Sequence, residues 1–168
     1  MNNTVKLIKW MLEDVRKVTL SGVKGLTKEK LFQPPVEGEY PVGAYLMHFA
    51  EVDAYWYWRL TGIQMPNDLK KRCYDNCWFD CPKENYNPPK EIIEVEEYLY
   101  CMSEARRILF EYMDKMNDEE LDEAAGTFRN GETLTKKWIL YHLLEHEAHH
   151  RGQIFMLRRM GKLNETLV

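Results

Sequence analysis

The sequence predicts an all-α fold, a four-helix bundle formed as a single domain over residues 1–168. Apolar residues recur at spacings of three and four in four long segments, the period of one helix face. No Val-, Ile- or Thr-rich run alternates with period two, so no sheet is expected. The length of 168 residues suits one domain of about 100–200 residues. An apolar share of 45% is enough for a core and too much for disorder.

The first segment, roughly Thr4 to Gly22, places Val5, Ile8, Met11, Leu12, Val15 and Val18 on one face. Gly22, Gly25 and Pro34-Pro35 then break it. The second opens at Pro41, a residue suited to a first helical turn, and runs to about Leu60 before Thr61-Gly62 stops it. The third is expected directly after Asn87-Pro88-Pro89, where Asn87 can cap and proline can occupy the first turn. Its stripe is Ile92, Val95, Leu99, Met102, Leu109, Met113 and Met116, broken by Arg106, with Cys101 off the stripe. The fourth runs from near Thr133 to Gly161, with Trp138, Ile139, Leu143, Ile154 and Leu157 on one side. Helices of matched length bury such stripes against one another. The connection from Gly62 to Asn87 is long for a bundle, where about 2–8 residues is usual. It either crosses the whole bundle or holds a short helix of its own. A weak internal echo links Gly25-Leu26-Thr27-Lys28-Glu29-Lys30-Leu31 to Asn117-Asp118-Glu119-Glu120-Leu121, each ahead of a histidine-bearing helix.

Lys and Arg total 23 against 27 Asp and Glu, a net charge of −4. That balance argues against general affinity for nucleic acid or an anionic membrane. No apolar run approaches the ~18 residues that span a bilayer. Met1 to Lys17 interleaves charges with apolar residues, unlike a signal peptide. A cytoplasmic location is the expectation.

Of the five histidines, four fall between His142 and His150. Two His four residues apart lie one turn apart on a helix face and can converge on one ion. With His142 at zero on a helical wheel, His146 falls near 40° and His150 near 80°, within the apolar face. His142 and His149 fall toward its margin, at about 0° and −20°. Buried imidazoles need partners, and His48, on the second helix with Tyr45, Val52, Tyr55 and Trp56 at helical spacings, is the only histidine from another helix. Three imidazoles would leave a coordination position open. The plainer alternatives are a core His48 bonded to tyrosine or backbone, and a solvated C-terminal strip. A di-iron site needs Glu-x-x-His from two helices and a Glu from each of the others. Only Glu147-x-x-His150 fits, and Glu147 points away from His146, which argues against that design.

Glu145-His146-Glu147-Ala148-His149-His150-Arg151-Gly152-Gln153-Ile154, followed by Met156-Leu157-Arg158, resembles the last-helix signature of the DinB/YfiT-like metalloenzyme family. Val42-Gly43-Ala44-Tyr45-Leu46-Met47-His48-Phe49-Ala50-Glu51, ending in Tyr57-Trp58, is similar to its second-helix block. The resemblance implies a DinB-like four-helix bundle, usually a homodimer, with a divalent metal on three histidines. By motif position these are His48, His146 and His150, the trio the wheel selects. Zn2+ or Ni2+ is the expected ion, with Mn2+ or Fe2+ as further options. Some members resemble S-transferases that use low-molecular-weight thiols, so a small-molecule substrate and such a thiol are the expected partners.

Around this trio, Gly152 suggests a close backbone approach to a neighbour. Gln153 either bonds a metal-bound water or is a core polar group, and Glu51 and Glu145 are candidate acceptors for ligand N–H groups. Tyr45, Tyr55 and Trp56 either line the pocket or are plain core. Cys73, Cys77 and Cys81 lie in the long connection, which the resemblance does not explain; with Cys101 they are expected as unpaired thiols. That insertion either covers the metal pocket or serves a dimer contact. Two functions follow: a metal-dependent enzyme acting by thiol S-transfer to small electrophiles or by hydrolysis, or a non-catalytic dimeric metal-binding or ligand-sensing bundle.

Overall fold

The computed structural model describes residues 3–73 and 77–163. Four long helices dominate: α1 (Asn3–Val23), α3 (Val42–Thr61), α5 (Val95–Met113) and α6 (Lys136–Met160). Two short ones, α2 (Lys28–Phe32) and α4 (Asn67–Cys73), sit in the connections, with 3-10 turns at Lys83–Asn85 and Asp118–Asp122. Around the bundle the order is α1–α6–α3–α5, with α5 returning to α1 across the loosest seam.

Side-chain pairs fix the helix directions. Arg16 meets Glu147 and Gly22 abuts Phe155, so α1 and α6 run parallel. Gly43 abuts Tyr98 and Asp53 meets Arg106, so α3 and α5 also run parallel. A parallel pair cannot be joined at its near ends. The chain must travel back the length of α3, 20 residues and so about 30 Å at 1.5 Å per residue. This explains the long connection, which both crosses the bundle and carries α4.

A layer of buried charge lies across the middle of the bundle. Each long helix contributes one member: Arg16 from α1, Asp53 from α3, Arg106 from α5 and Glu147 from α6, none more than 8% exposed. Arg16 donates from Nε to Glu147 Oε1 at 2.7 Å and from Nη2 to Asp53 Oδ2 at 3.2 Å. Arg106 donates to both Asp53 oxygens at 2.8 and 3.0 Å and to Glu147 Oε2 at 2.8 Å. Each guanidinium also reaches a backbone carbonyl, Met102 for Arg16 and Leu12 for Arg106. Burial alone would raise the Glu147 pKa, but the two guanidiniums overrule it and hold the carboxyl at about 2. The layer divides the apolar core into two clusters, one around Phe49, Tyr98 and Ile154, the other around Leu12, Leu109 and Leu140.

Local chemistry sets the element ends. Thr135 caps α6 by accepting from Trp138 N–H at 3.3 Å, and Gly62 closes α3 in the left-handed region at φ 73°. Asp118 caps α1 from a distance, accepting from Thr4 and Val5 N–H at 3.1 and 3.0 Å. The two echoing stretches each form one capped turn, begun by Thr27 and Asn117, that buries a leucine, Leu31 and Leu121.

Four expectations need correction. A small antiparallel hairpin is present, β1 (Ala124–Thr127) with β2 (Thr133–Thr135), turning through Asn130-Gly131. Its strands are too short to display alternation. Helix α5 starts at Val95, because Pro88-Pro89 favours extended chain and the crossover needs its reach. Its buried face is also turned from the expected stripe: Tyr98, Cys101 and Arg106 point inward while Ile92 and Leu99 are exposed. Gly152 faces open space; the close helix approaches fall at Gly22 and Gly43, where a Cβ would collide with Phe155 and Tyr98.

Replacing Glu147 with alanine leaves two buried guanidiniums short of one carboxylate. The expected cost is about 3–5 kcal/mol of unfolding free energy, read from urea denaturation. A loss under about 1 kcal/mol would mean the layer contributes nothing beyond a surface pair.

Candidate metal centre

The charged layer fixes the rotation of α6, and the histidines follow from it. Successive helix residues point about 100° apart, so with Glu147 turned to Arg16 and Arg106, His146 faces α3. One turn on, His150 joins it. From α3, His48 completes a group whose ligand atoms all lie within 4.8 Å of one another. The Nε2 atoms of His48 and His146 are 3.0 Å apart and those of His150 and His146 3.1 Å. Nitrogens bound to one ion at about 2.0–2.1 Å would stand roughly 2.9–3.4 Å apart.

Tautomers decide what this cluster needs. His48 Nδ1–H donates to Glu51 Oε2 at 3.3 Å, and His150 Nδ1–H donates to Gln153 Oε1 at 2.5 Å. Each ring therefore presents an Nε2 lone pair to His146. A single Nε2–H on His146 could satisfy only one of them; a cation satisfies all three. The donor set fits a metal ion. Gln153, left open between two roles by the sequence, orients the His150 ring, as Glu51 orients that of His48. Glu145 instead meets His142 Nδ1, at 3.5 Å.

Electrostatics agree with geometry. Burial depresses the His146 pKa most, and the neighbouring His48 and His150 add to it, leaving it at about 3. His150 is shifted down chiefly by burial, opposed by the hydrogen bond it donates to Gln153. Neutral imidazole is the form that ligates. Burial raises the Glu51 carboxyl, opposed by its bond to His48.

The remaining histidines stand outside the cluster. His142 stacks on Trp138, centroids 4.7 Å apart, with Trp56 against its edge, and His149 is exposed. Tyr45 packs edge-on to His150 at 5.7 Å, and burial raises its pKa to about 12. Tyr55 is 48% exposed and lines nothing there. The sequence marked Phe79 only as an aromatic residue of the long connection, with no role of its own. It belongs to the returning connection and packs on His48 at 4.6 Å and His150 at 5.2 Å. The insertion thus covers the histidines; an apolar Trp78-Phe79 pair in a polar stretch was its only signal. All four cysteines are free: Cys73, at the end of α4, is buried against Cys101 of α5, and Cys77 and Cys81 flank Phe79.

A family model described as the DinB superfamily matches residues 11–154. Among solved structures, a conserved protein from Enterococcus faecalis superposes with a TM-score of 0.73 at 17% identity, covering 96% of this chain and 98% of that one, which is a likeness of fold. A comparison with curated proteins returned no match. Among the described residues, no helix is long and apolar enough to cross a membrane.

The low His146 pKa has a thermodynamic sign. Unfolded histidine titrates near 6.5, so between that value and about 3 the unfolded chain binds the extra proton. Stability tied to neutral His146 is whole above about pH 6.5 and is lost as pH falls toward 3. In metal-free protein, the stability of the wild type relative to His146→Gln should fall between about pH 7 and pH 4. Urea midpoints across that range check it, and parallel curves for the two proteins would refute it.

Proposed function

Because this chain belongs to the DinB superfamily, we propose that it is a divalent-metal-dependent enzyme in which His48, His146 and His150 hold the ion. The observation that carries this reading is the meeting of three Nε2 atoms, two with Nδ1 already committed as donors. Three protein ligands match the catalytic pattern of zinc, which leaves a position for water or substrate; structural zinc usually takes four. Neutral imidazoles suit Zn2+ or Ni2+ ahead of Mn2+, with Fe2+ as a further option. When bound, such an ion supplies Lewis acidity and lowers the pKa of a water or thiol in the open position.

The chain's own residues do the rest. Glu51 and Gln153 hold two ligand rings in orientation. Phe79 and Tyr45 pack on the His48 and His150 rings as an aromatic wall that would limit the water reaching the ion. That wall favours thiol S-transfer to a small electrophile, using a low-molecular-weight thiol, over hydrolysis. The reading includes a homodimer, for which the exposed Leu7, Trp10 and Met11 along α1 supply apolar surface. It also includes a cytoplasmic location, where structural disulfides are rare, in keeping with four free cysteines. A non-catalytic metal-binding or ligand-sensing dimer is the second reading, favoured by Phe79 lying over two of the three imidazoles.

Metal analysis of protein prepared with metal in excess should find one ion per chain, and none would refute the site. His48→Ala and His150→Ala should each lose it while keeping helical circular dichroism. Gln153→Ala should weaken binding by about 10–100-fold. Metal-loaded protein inert toward every thiol, electrophile and ester tried would replace the first reading with the second.

A further inference from the structure

Cys77 and Cys81 bracket the residue that covers the histidines. Asp80, between Phe79 and Cys81, lies in the left-handed region at φ 46°, and the reversal brings Cys81 back onto Cys77. The Cys81 thiol donates to the Cys77 carbonyl at 3.3 Å, and the two side chains are in hydrogen-bonding contact. Asn87 N–H ties the same carbonyl at 2.8 Å, closing the base of the loop. Phe79 fills the inside, packed on Tyr40 and Tyr45 as well as on His48 and His150. Cys77 is exposed and Cys81 partly so, whereas Cys73 and Cys101 are no more than 1% exposed.

We propose that Cys77 and Cys81 are a dithiol modification site that exchanges with a low-molecular-weight disulfide, closing a reversible bond that locks Phe79 over His48 and His150. The Cys77 thiolate attacks one sulfur of the disulfide, forming a mixed disulfide and releasing one thiolate. Cys81 loses its proton to solvent and attacks Cys77 Sγ, expelling the second thiolate. Two protein thiols are oxidised to one disulfide, and the small disulfide is reduced to two thiols. Cys77 acts first because it is exposed; partial burial and the nearby Cys77 raise the Cys81 thiol pKa, which makes it the poorer first attacker. The bond shortens a five-residue loop already folded into place, so it removes freedom from Phe79 without moving the helices. This inference stands apart from the metal reading, since it needs only the thiols and the covered rings.

The test uses the full chain, metal-free, equilibrated with oxidised glutathione. Remaining thiols are alkylated, and digestion at aromatic residues separates Cys77 from Cys81. The expected product joins fragments through these two cysteines, is reversed by dithiothreitol, persists in Cys73→Ser and is lost in Cys77→Ser. Carbethoxylation of His48 and His150 by diethyl pyrocarbonate should be several-fold slower in the oxidised protein. With Phe79→Ala that difference should vanish. A Cys73–Cys101 bond in place of this one, no bond at all, or equal histidine reactivity in both states would overturn the proposal.

Discussion

Everything near the histidines depends on a neutral set of four charges buried where the long helices cross. Two guanidiniums and two carboxylates cannot leave water singly, so their ion pairs and hydrogen bonds form as a group. Each helix supplies one member, and each member sets the rotation of its helix. An apolar core tolerates sliding and turning, because burial energy has little direction; a bidentate guanidinium tolerates neither. The histidine trio borrows this precision. His146 directly precedes Glu147, whose carboxylate is committed to Arg16 and Arg106. Asp53 anchors α3 little more than a turn from His48.

Much of this was legible in the sequence, for identifiable reasons. The four long helices announced themselves by periodicity, and the wheel placed His146 and His150 inward because Ile139, Leu143, Ile154 and Leu157 share their face. The inward Arg106 registered only as a break in an apolar stripe. Its meaning needed Arg16, Asp53 and Glu147, which lie far apart in sequence and look like ordinary surface charges taken singly. The same blindness misplaced the buried face of α5: pattern reasoning counts Leu99 as core and Tyr98 as neutral. The structure reverses this because Gly43, with no Cβ, lets the Tyr98 ring pack directly on α3. The hairpin was too short to show a period, and its Asn130-Gly131 turn was the single cue.

The role of the long connection was undecidable from spacing, because it depends on helix direction. Had α3 and α5 run antiparallel, a few residues would have joined them and the histidines would have stood open. Their parallel run obliges the chain to pass back along α3, and it passes across the half that carries Tyr45 and His48. Phe79 therefore reaches the site as a consequence of topology, and the Cys77–Cys81 loop arrives with it.

This separation has an evolutionary consequence. The groups that converge on the candidate ion come from α3 and α6, elements whose geometry is dictated by the charged layer. The cover comes from the long connection, which supplies Phe79 but none of the imidazoles. Substitutions at its histidine-facing positions can reshape what enters the chamber while the charged layer still holds α3 and α6 in place. Such a chain can diversify its chemistry by editing its roof, with the foundations held constant.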